Sequence, residues 1–453
     1  MKKNPAIYFA LLSLLFIVAS CGSSDEESYE LSPYAMVKSF KIGNIRSAYP
    51  DFTSEGKDTV VYKTVSMEGF AFTINQETGE IYNNDSLPYA TDVSKVVAIM
   101  GVSGVASIYV DSTATYEHFS SSDSLDFTKP RQFRIYSADA SFYKDYTVSV
   151  NVHQVNPDMM VWEKYQSADG VGPMRLLERD GIMYLFGEKA GDAVVATTPV
   201  GGVPSWSVGN VDALPVEALP TVQLFCGSFY AVADGNVYSS QDAVQWSVAA
   251  AGTGAVAIVG ADDEAHELWI AGEQGVFRSA DGVSFVKTGE LPAGFPLYGV
   301  SIASYPLSHN GKIIRYMLVG YATPEKDGKA AVWSRLSTEE EWVCYENEGN
   351  AYACPALEGL AVVRYDNFLY AFGGAGVAAG AEVDAFSAFH VSRDNGITWK
   401  AQSGFYQRLP EELLGDNAPF AATVDSGNNI WIINSGDNGG VWKGILNRLG
   451  FRK

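Results

Sequence analysis

One short phrase recurs six times in the C-terminal two-thirds of the chain: an aromatic residue or Met, two apolar residues, then a small one. It reads Tyr184-Leu-Phe-Gly187, Tyr230-Ala-Val-Ala233, Trp269-Ile-Ala-Gly272, Met317-Leu-Val-Gly320, Tyr370-Ala-Phe-Gly373 and Trp431-Ile-Ile-Asn434. Each copy follows a turn such as Asp180-Gly181 or Asp366-Asn367, and a short apolar strand precedes that turn. These preceding strands are Met174–Leu177, Val222–Phe225, Val256–Val259, Gly299–Ile302, Leu360–Val363 and Phe420–Val424. A third phrase follows each copy, from Val194–Thr198 to Val441–Gly444. A fourth phrase carries Trp206, Trp246, Phe285, Trp342 or Trp399, and so occurs only five times. The missing strand stands at the start of the array, at Met160-Val161-Trp162-Glu163. Such a period marks a repeat architecture. Six four-stranded units with one strand borrowed from the other end predict a six-bladed β-propeller closed by a strand swap. Pairing the Trp162 strand with Val441–Gly444 would remove the open edges at the seam.

Between the third and fourth strands of the fifth unit stands Ser392-Arg-Asp394-Asn-Gly396-Ile-Thr-Trp399. Asp accepts amide hydrogens in a turn, Gly supplies a positive φ, and Trp packs between sheets. Shorter copies are Ser240-Gln-Asp242-Ala-Val-Gln-Trp246 and Ser279-Ala-Asp281-Gly-Val-Ser-Phe285. The string resembles the Asp-box of sialidases and related propellers, which implies a folding element remote from any active site. Phe372-Gly373-Gly374 is similar to a kelch blade.

Residues 1–20 read as a signal peptide: Lys2 and Lys3, then an uncharged apolar run. Val18-Ala19-Ser20-Cys21 resembles the bacterial lipobox, which implies cleavage before Cys21 and lipidation there. Residues 21–34 are a polar tether, and Asp25-Glu26-Glu27 resembles the surface-export signal of Bacteroidetes lipoproteins. Residues 35–155 show short alternating strands, clearest in Gln132–Tyr136 and Tyr146–Val152. They predict a β-sandwich, and Ser124 to Phe133 with Tyr146–Val150 resembles the immunoglobulin-like modules of such lipoproteins. The propeller takes residues 156–453. The fold class is therefore all-β, and the whole chain resembles Bacteroidetes surface lipoproteins that join such a module to a sialidase- or kelch-like propeller.

Without residues 1–20 the chain has 29 basic and 53 acidic residues, a net charge of −24. That argues against nucleic acid as a partner, since phosphate needs a basic face. Four cysteines, no CxxC and five scattered histidines argue against a metal site, and no cofactor is expected. Cys344 and Cys354 flank a Gly-Asn turn in a compartment that permits disulfides and are candidates for a bridge. Cys226 reads as a small buried core residue.

Polar and aromatic residues on or beside the first strands are the candidate ligand contacts: Arg175, Glu178, Gln223, Tyr298, Arg364, Tyr365 and Asp425. Long insertions at 303–314, 322–330 and 374–388 are further candidates, with Gly374–Gly380 expected to be mobile. Sialidases bind a carboxylate with three arginines, one in an F-R-I-P-like strand. Met174-Arg175-Leu176-Leu177 keeps that arginine without the Phe and Pro. Arg315 and Arg364 are candidates for the others, with Tyr365 or Tyr298 for the tyrosine, and no Glu partner is assignable. No catalytic residue is assigned. The leading expectation is an outer-membrane, surface-exposed lipoprotein whose propeller binds a glycan or protein. The alternatives are a propeller-type glycoside hydrolase or lyase acting on an acidic glycan through Arg175, and a scaffold subunit of a surface complex.

Overall fold

A computed structural model describes residues 31–52, 58–324, 329–345, 348–402, 406–436 and 439–450. The expected signal peptide, Cys21 and the start of the tether lie outside the described residues. Apart from two 3-10 turns and the four-residue helix Asn447–Gly450, the described elements are strands. The chain divides into two compact units, with the main break between Gln154 and Val155.

Alternation organises the N-terminal unit. In Arg131–Tyr136 the buried residues are Phe133 and Ile135; in Tyr143–Ser149 they are Tyr146 and Val148. The strands pair antiparallel with Phe133 opposite Tyr146, so one face of the hairpin is apolar. Asp139 closes the turn by accepting from the Ser141 amide and the Ser137 hydroxyl. This hairpin lies inside a six-stranded sheet that also holds Phe72–Asn75, Glu80–Asn83, Val105–Val110 and Thr115–His118. Tyr143–Ser149 runs parallel to Glu80–Asn83, so the sheet is mixed. A three-stranded sheet of Val37–Ile42, Val96–Val102 and Ser124–Leu125 brings Val37, Phe40 and Ala98 to the same core.

The second unit is a β-propeller domain containing six four-stranded sheets. The first holds Gly172–Arg179, Ile182–Lys189, Asp192–Pro199 and Ser207–Asn210. The second to fifth begin with Gln223–Phe225, Ala257–Asp262, Tyr298–Leu307 and Ala361–Tyr365. The sixth joins Phe420–Val424, Ile430–Asn434 and Gly440–Leu446 to Met160–Tyr165 from the start of the domain. In that last pairing Trp162 stands opposite Gly444. A Cβ at Gly444 would lie 2.5 Å from the Trp162 ring, so only glycine fits beneath it.

Both faces of each sheet are apolar, because successive side chains on a strand point to opposite faces. In Glu267–Gly272, Leu268 and Ile270 pack with Phe225 and Val232 of the second sheet. Trp269 and Ala271, which alternate with them in sequence, pack with Leu318 and Trp333 of the fourth. The same division operates in the sixth sheet. Ile430 and Ile432 meet Tyr370 and Phe389 of the fifth, whereas Trp431 and Ile433 meet Leu176 and Leu185 of the first. Each fully buried side chain of this size stabilises by roughly 1.5–3 kcal/mol, so these interfaces hold the domain together.

Two insertions differ from expectation. Residues 303–314 are not a loop: they extend the strands Tyr298–Leu307 and Asn310–Tyr321, which pair along most of their length. Gly374–Gly380, expected to be mobile, contains Gly376–Ala378, which pairs with both Ala356–Leu357 and Ala381–Val383. Backbone hydrogen bonds on both edges explain its order. Part of the insertion 322–330 lies outside the described residues.

The three related turns share one geometry. The buried hydroxyls of Ser240, Ser279 and Ser392 accept from the amides of Ala243, Gly282 and Gly396 at 2.9, 2.9 and 2.7 Å. Those three residues have φ of 69°, 73° and 94°, a region alanine adopts with strain. Asp242 accepts from the amides of Val244 and Gln245, and Asp281 from those of Val283 and Ser284. Asp394 accepts from both the amide and the hydroxyl of Thr398. The indoles of Trp246 and Trp399 donate back to the turn, to Ala243 O and Gly396 O.

These contacts favour the ionised carboxylates. Partial burial opposes ionisation at Asp394, but the Thr398 and Ser392 hydrogen bonds outweigh it and hold its carboxyl below the usual range. The amides of Gln245 and Val244 lower Asp242, and those of Ser284 and Val283 lower Asp281. With folded values below the unfolded value of about 3.9, their stabilisation is present above that pH and is lost as pH falls through the folded values. Asp394→Ala is expected to cost about 1–3 kcal/mol at neutral pH, measured by urea unfolding, with the deficit shrinking toward acid. An unchanged midpoint would show that the turn does not contribute to stability.

Candidate functional site

The inner end of each sheet is its first strand, and these strands line one cavity of about 480 Å³. Leu176, Gln223, Ile258, Ile302, Val362 and Ala422 represent the six sheets in its wall. Each first strand is an outermost strand of its sheet. Its free edge therefore carries backbone amides and carbonyls unpaired within that sheet. The wall is otherwise mostly small or aliphatic: Ala257, Ala361 and Ala422 leave space rather than filling it.

Of the seven candidate residues, the cavity brings together Arg175, Gln223 and Arg364. Arg175 is half-buried on Gly172–Arg179 and leans toward the second sheet. Its Nε donates to Val222 O at 2.9 Å and its Nη2 to Gln223 Oε1 at 2.6 Å. No carboxylate pairs with it among the described residues, and burial pushes its pKa down to about 10. Arg364 lies over the Tyr305 ring, 3.7 Å from its centroid, and its Nη2 is 3.5 Å from Asn367 Oδ1. Burial lowers its pKa also.

The other four lie outside this cavity wall. Glu178 accepts from the amide and hydroxyl of Ser426, linking the first sheet to a turn of the sixth. The buried Asp425 accepts from the Asn429 amide and the Trp431 indole, with Lys443 Nζ at 3.9 Å. Tyr365 is 2% exposed and its hydroxyl accepts from the Leu446 amide. Tyr298 packs at the edge of the apolar clusters flanking the fourth sheet. Arg315 is on a second strand, donating to Ser334 Oγ and Tyr345 OH. None of the three Asp turns contributes to the cavity wall. Residues the sequence reading passed over are Thr221, Ser301, Ser304 and Thr423, all in the wall. Three of these lie on first strands, so strand position was the available signal.

The cysteines correct two expectations. Cys344 and Cys354 are not bridged. Cys354 is buried beside Tyr321 and Leu357, whereas Cys344 is exposed on a strand at the far edge of its sheet. Cys226 is not a core residue. It is exposed in the turn after Gln223–Phe225, with φ of 46°, its amide held by Asp263 and its Sγ 3.3 Å from His266 Nδ1. Burial raises the Cys354 thiol pKa, and at Cys226 slight burial and then Asp263 and Asp262 act the same way. Iodoacetamide is therefore expected to label Cys226 in the native protein, faster as pH rises, and Cys354 only on unfolding. Peptide mass spectrometry checks this; native labelling of Cys354 would contradict its burial.

No match to a curated protein was found. Among solved structures, the chain is similar to a DUF4623 family protein from Bacteroides eggerthii. The identity is 12% and the TM-score 0.34, with 90% of this chain and 97% of that chain covered. It is also similar to virginiamycin B lyase from Staphylococcus aureus, at 12% identity and TM-score 0.38, over 63% of this chain and 99% of that one. A thermostable family-43 glycoside hydrolase matches at 12% identity and TM-score 0.31, over 62% and 90%. Residues 40–150 match the DUF6242 N-terminal domain and residues 156–453 the DUF6242 beta propeller domain, and the chain belongs to the DUF6242 family.

Proposed function

We propose that the chain is a surface lipoprotein whose propeller holds a glycan or protein ligand, end-on, in the first-strand cavity without turning it over. The observation that carries this reading is the composition of the cavity wall. Among the described residues it contains no Asp, Glu, His, Tyr or Cys. Glycoside hydrolysis needs an acid and a base or nucleophile, most often a carboxylate pair, and this wall offers neither. Binding needs only shape and a few fixed polar groups in an otherwise apolar recess, and a volume near 480 Å³ suits that use.

The rest of the chain supports display. The lipobox-like Val18–Cys21 and the acidic stretch after it favour an anchor in the outer membrane with the body outside the cell. The N-terminal unit, read as an immunoglobulin-like module, serves as a spacer. We read the six sheets as the blades of a closed ring, with Met160–Tyr165 sealing the sixth, and the three Asp turns as Asp-boxes that rigidify it. A rigid ring presents a preformed recess, which lowers the ordering cost of binding.

Filling the recess tests the reading. Ala422→Trp is expected to abolish retention of the full chain on its ligand in a panel of host and dietary glycans and surface proteins. Its melting temperature should stay within a few degrees of the parent. Undiminished retention would move binding to the outer surface, and released sugar would replace binding with hydrolysis.

A further inference from the structure

We infer that a polar cleft on the second sheet of the propeller domain is a binding site for a single guanidinium group. It is separate from the first-strand cavity and does not depend on what that cavity holds.

The cleft has a volume of about 420 Å³, and its wall is made of polar side chains and Tyr230. Strand register explains this composition. The second, third and fourth strands of the sheet are Ser228–Ala233, Gly235–Ser240 and Ser247–Ala255. Tyr230 stands opposite Ser239, and Ser239 opposite Ser247, so the three side chains form one row on one face. Ser228, two residues before Tyr230, is on the same face. Gln241 and Gln245 extend the wall at the turn. Phe229 and Trp246 point the other way and pack on Phe186 of the first sheet.

A cation fills the corresponding place in the third, fourth and sixth sheets. Tyr230 begins the repeated second-strand phrase, as Trp269, Met317 and Trp431 do. Arg278 stands opposite Trp269 and lies 5.5 Å from its ring centroid. Lys443 stands opposite Trp431, 5.0 Å from its ring. Met317 is opposite Ser334, and Arg315, two residues before Met317, donates to Ser334 Oγ and Tyr345 OH. The second sheet has serine at both of these positions, Ser239 and Ser228, and the space an arginine takes in the other sheets is open.

A guanidinium has five N–H donors and no acceptor, so its site must supply acceptors. Asp242 uses Oδ1 to close the turn and has Oδ2 uncommitted among the described residues. Gln245 gives its NH2 to Asp212 Oδ2 at 2.6 Å, which leaves its amide oxygen to accept. The hydroxyls of Ser228, Ser239 and Ser247 have no protein partner among the described residues.

Charge favours the same group. The charged side chain in the wall is Asp242, which the turn amides hold ionised. Asp212 lies against Gln245, and the Asp281 turn of the third sheet closes on Tyr230: a Cβ at Gly282 would come within 2.3 Å of the Tyr230 hydroxyl. Against these three carboxylates stands Arg179. It donates to Gly227 O and Gln241 O while stacked on Phe229, on the first-sheet side. The balance is negative, which opposes an anion and attracts a cation. The planar fork of a guanidinium suits the carboxylate and amide oxygens, and the Tyr230 ring offers it the contact that Trp269 gives Arg278.

Two sources share this chemistry: a free small guanidine, and an arginine side chain of a polypeptide. Calorimetric titration of the full chain with ethylguanidine, a capped Gly-Arg-Gly tripeptide, its citrulline analogue and glucose separates them. The arginine tripeptide is expected to bind about tenfold or more tightly than the citrulline one, which keeps the shape without the charge. Tighter binding of the tripeptide than of ethylguanidine assigns a polypeptide side chain; equal or weaker binding assigns the small cation. Ser239→Arg copies the third sheet and Ser228→Arg the fourth. Each should fill the cleft and reduce binding about tenfold or more, with the melting temperature held or raised, and misfolding of one leaves the other to decide. Ala422→Trp should bind the tripeptide like the parent, since cleft and cavity share no wall residue. Equal binding of the citrulline tripeptide or of glucose, parental affinity in both serine variants, loss of binding in Ala422→Trp, or no binding of either guanidinium probe at millimolar concentration would each overturn the assignment.

Discussion

A four-stranded sheet with two apolar faces must be covered on both, and the rest of the propeller domain depends on that requirement. Alternation sends Leu268 and Ile270 to one neighbouring sheet and Trp269 and Ala271 to the other. The same rule sends Ile432 to the fifth sheet and Trp431 to the first. No sheet in this domain can lose a neighbour without exposing several large side chains, each worth roughly 1.5–3 kcal/mol. The pairing of Met160–Tyr165 with Gly440–Leu446 joins the domain's two ends by hydrogen bonds as well as packing. The first strands line the cavity and keep Arg175, Gln223 and Arg364 half-buried there.

That arrangement explains why so little of the polar inventory is available for a ligand. Asp242, Asp281 and Asp394 are used to close turns, Glu178 to hold Ser426, and Asp425 to hold Asn429 and Trp431. Arg335 is buried among Trp269, Tyr316 and Trp342, with Glu267 near it. Arg175 differs from these because its neighbours are a carbonyl and an amide, neither of which neutralises it.

Much of the fold was legible because its cause is periodic. The six second-strand phrases coincide with or overlap second strands, and the five aromatics Trp206, Trp246, Phe285, Trp342 and Trp399 each stand immediately before a fourth strand. A half-buried or doubly buried strand writes its pattern locally, and the turn strings do too. The site was less legible because its causes are not local. Arg175, Gln223 and Arg364 followed from first-strand position, whereas Glu178 was committed by a residue 248 positions away. Tyr365 looked like a ligand contact, yet its hydroxyl accepts from Leu446, 81 positions on. Cys226 read as core because a free cysteine packs as a small apolar residue, but its positive φ places it in a turn. Gly374–Gly380 read as mobile from composition, which carries no information about the strand edges it meets.

The central claim is that the first-strand cavity, where Arg175 has no carboxylate partner among the described residues, is the recess in which this domain is proposed to bind its ligand. Bromide, a small anion with an anomalous X-ray signal, tests it without knowledge of the ligand. A crystal of the protein soaked in bromide should show an anomalous peak within hydrogen-bond reach of Arg175 Nη1 and the Gln223 amide, and the peak should vanish in Gln223→Glu. Bromide scattered over the surface, with none in the cavity, would contradict the account.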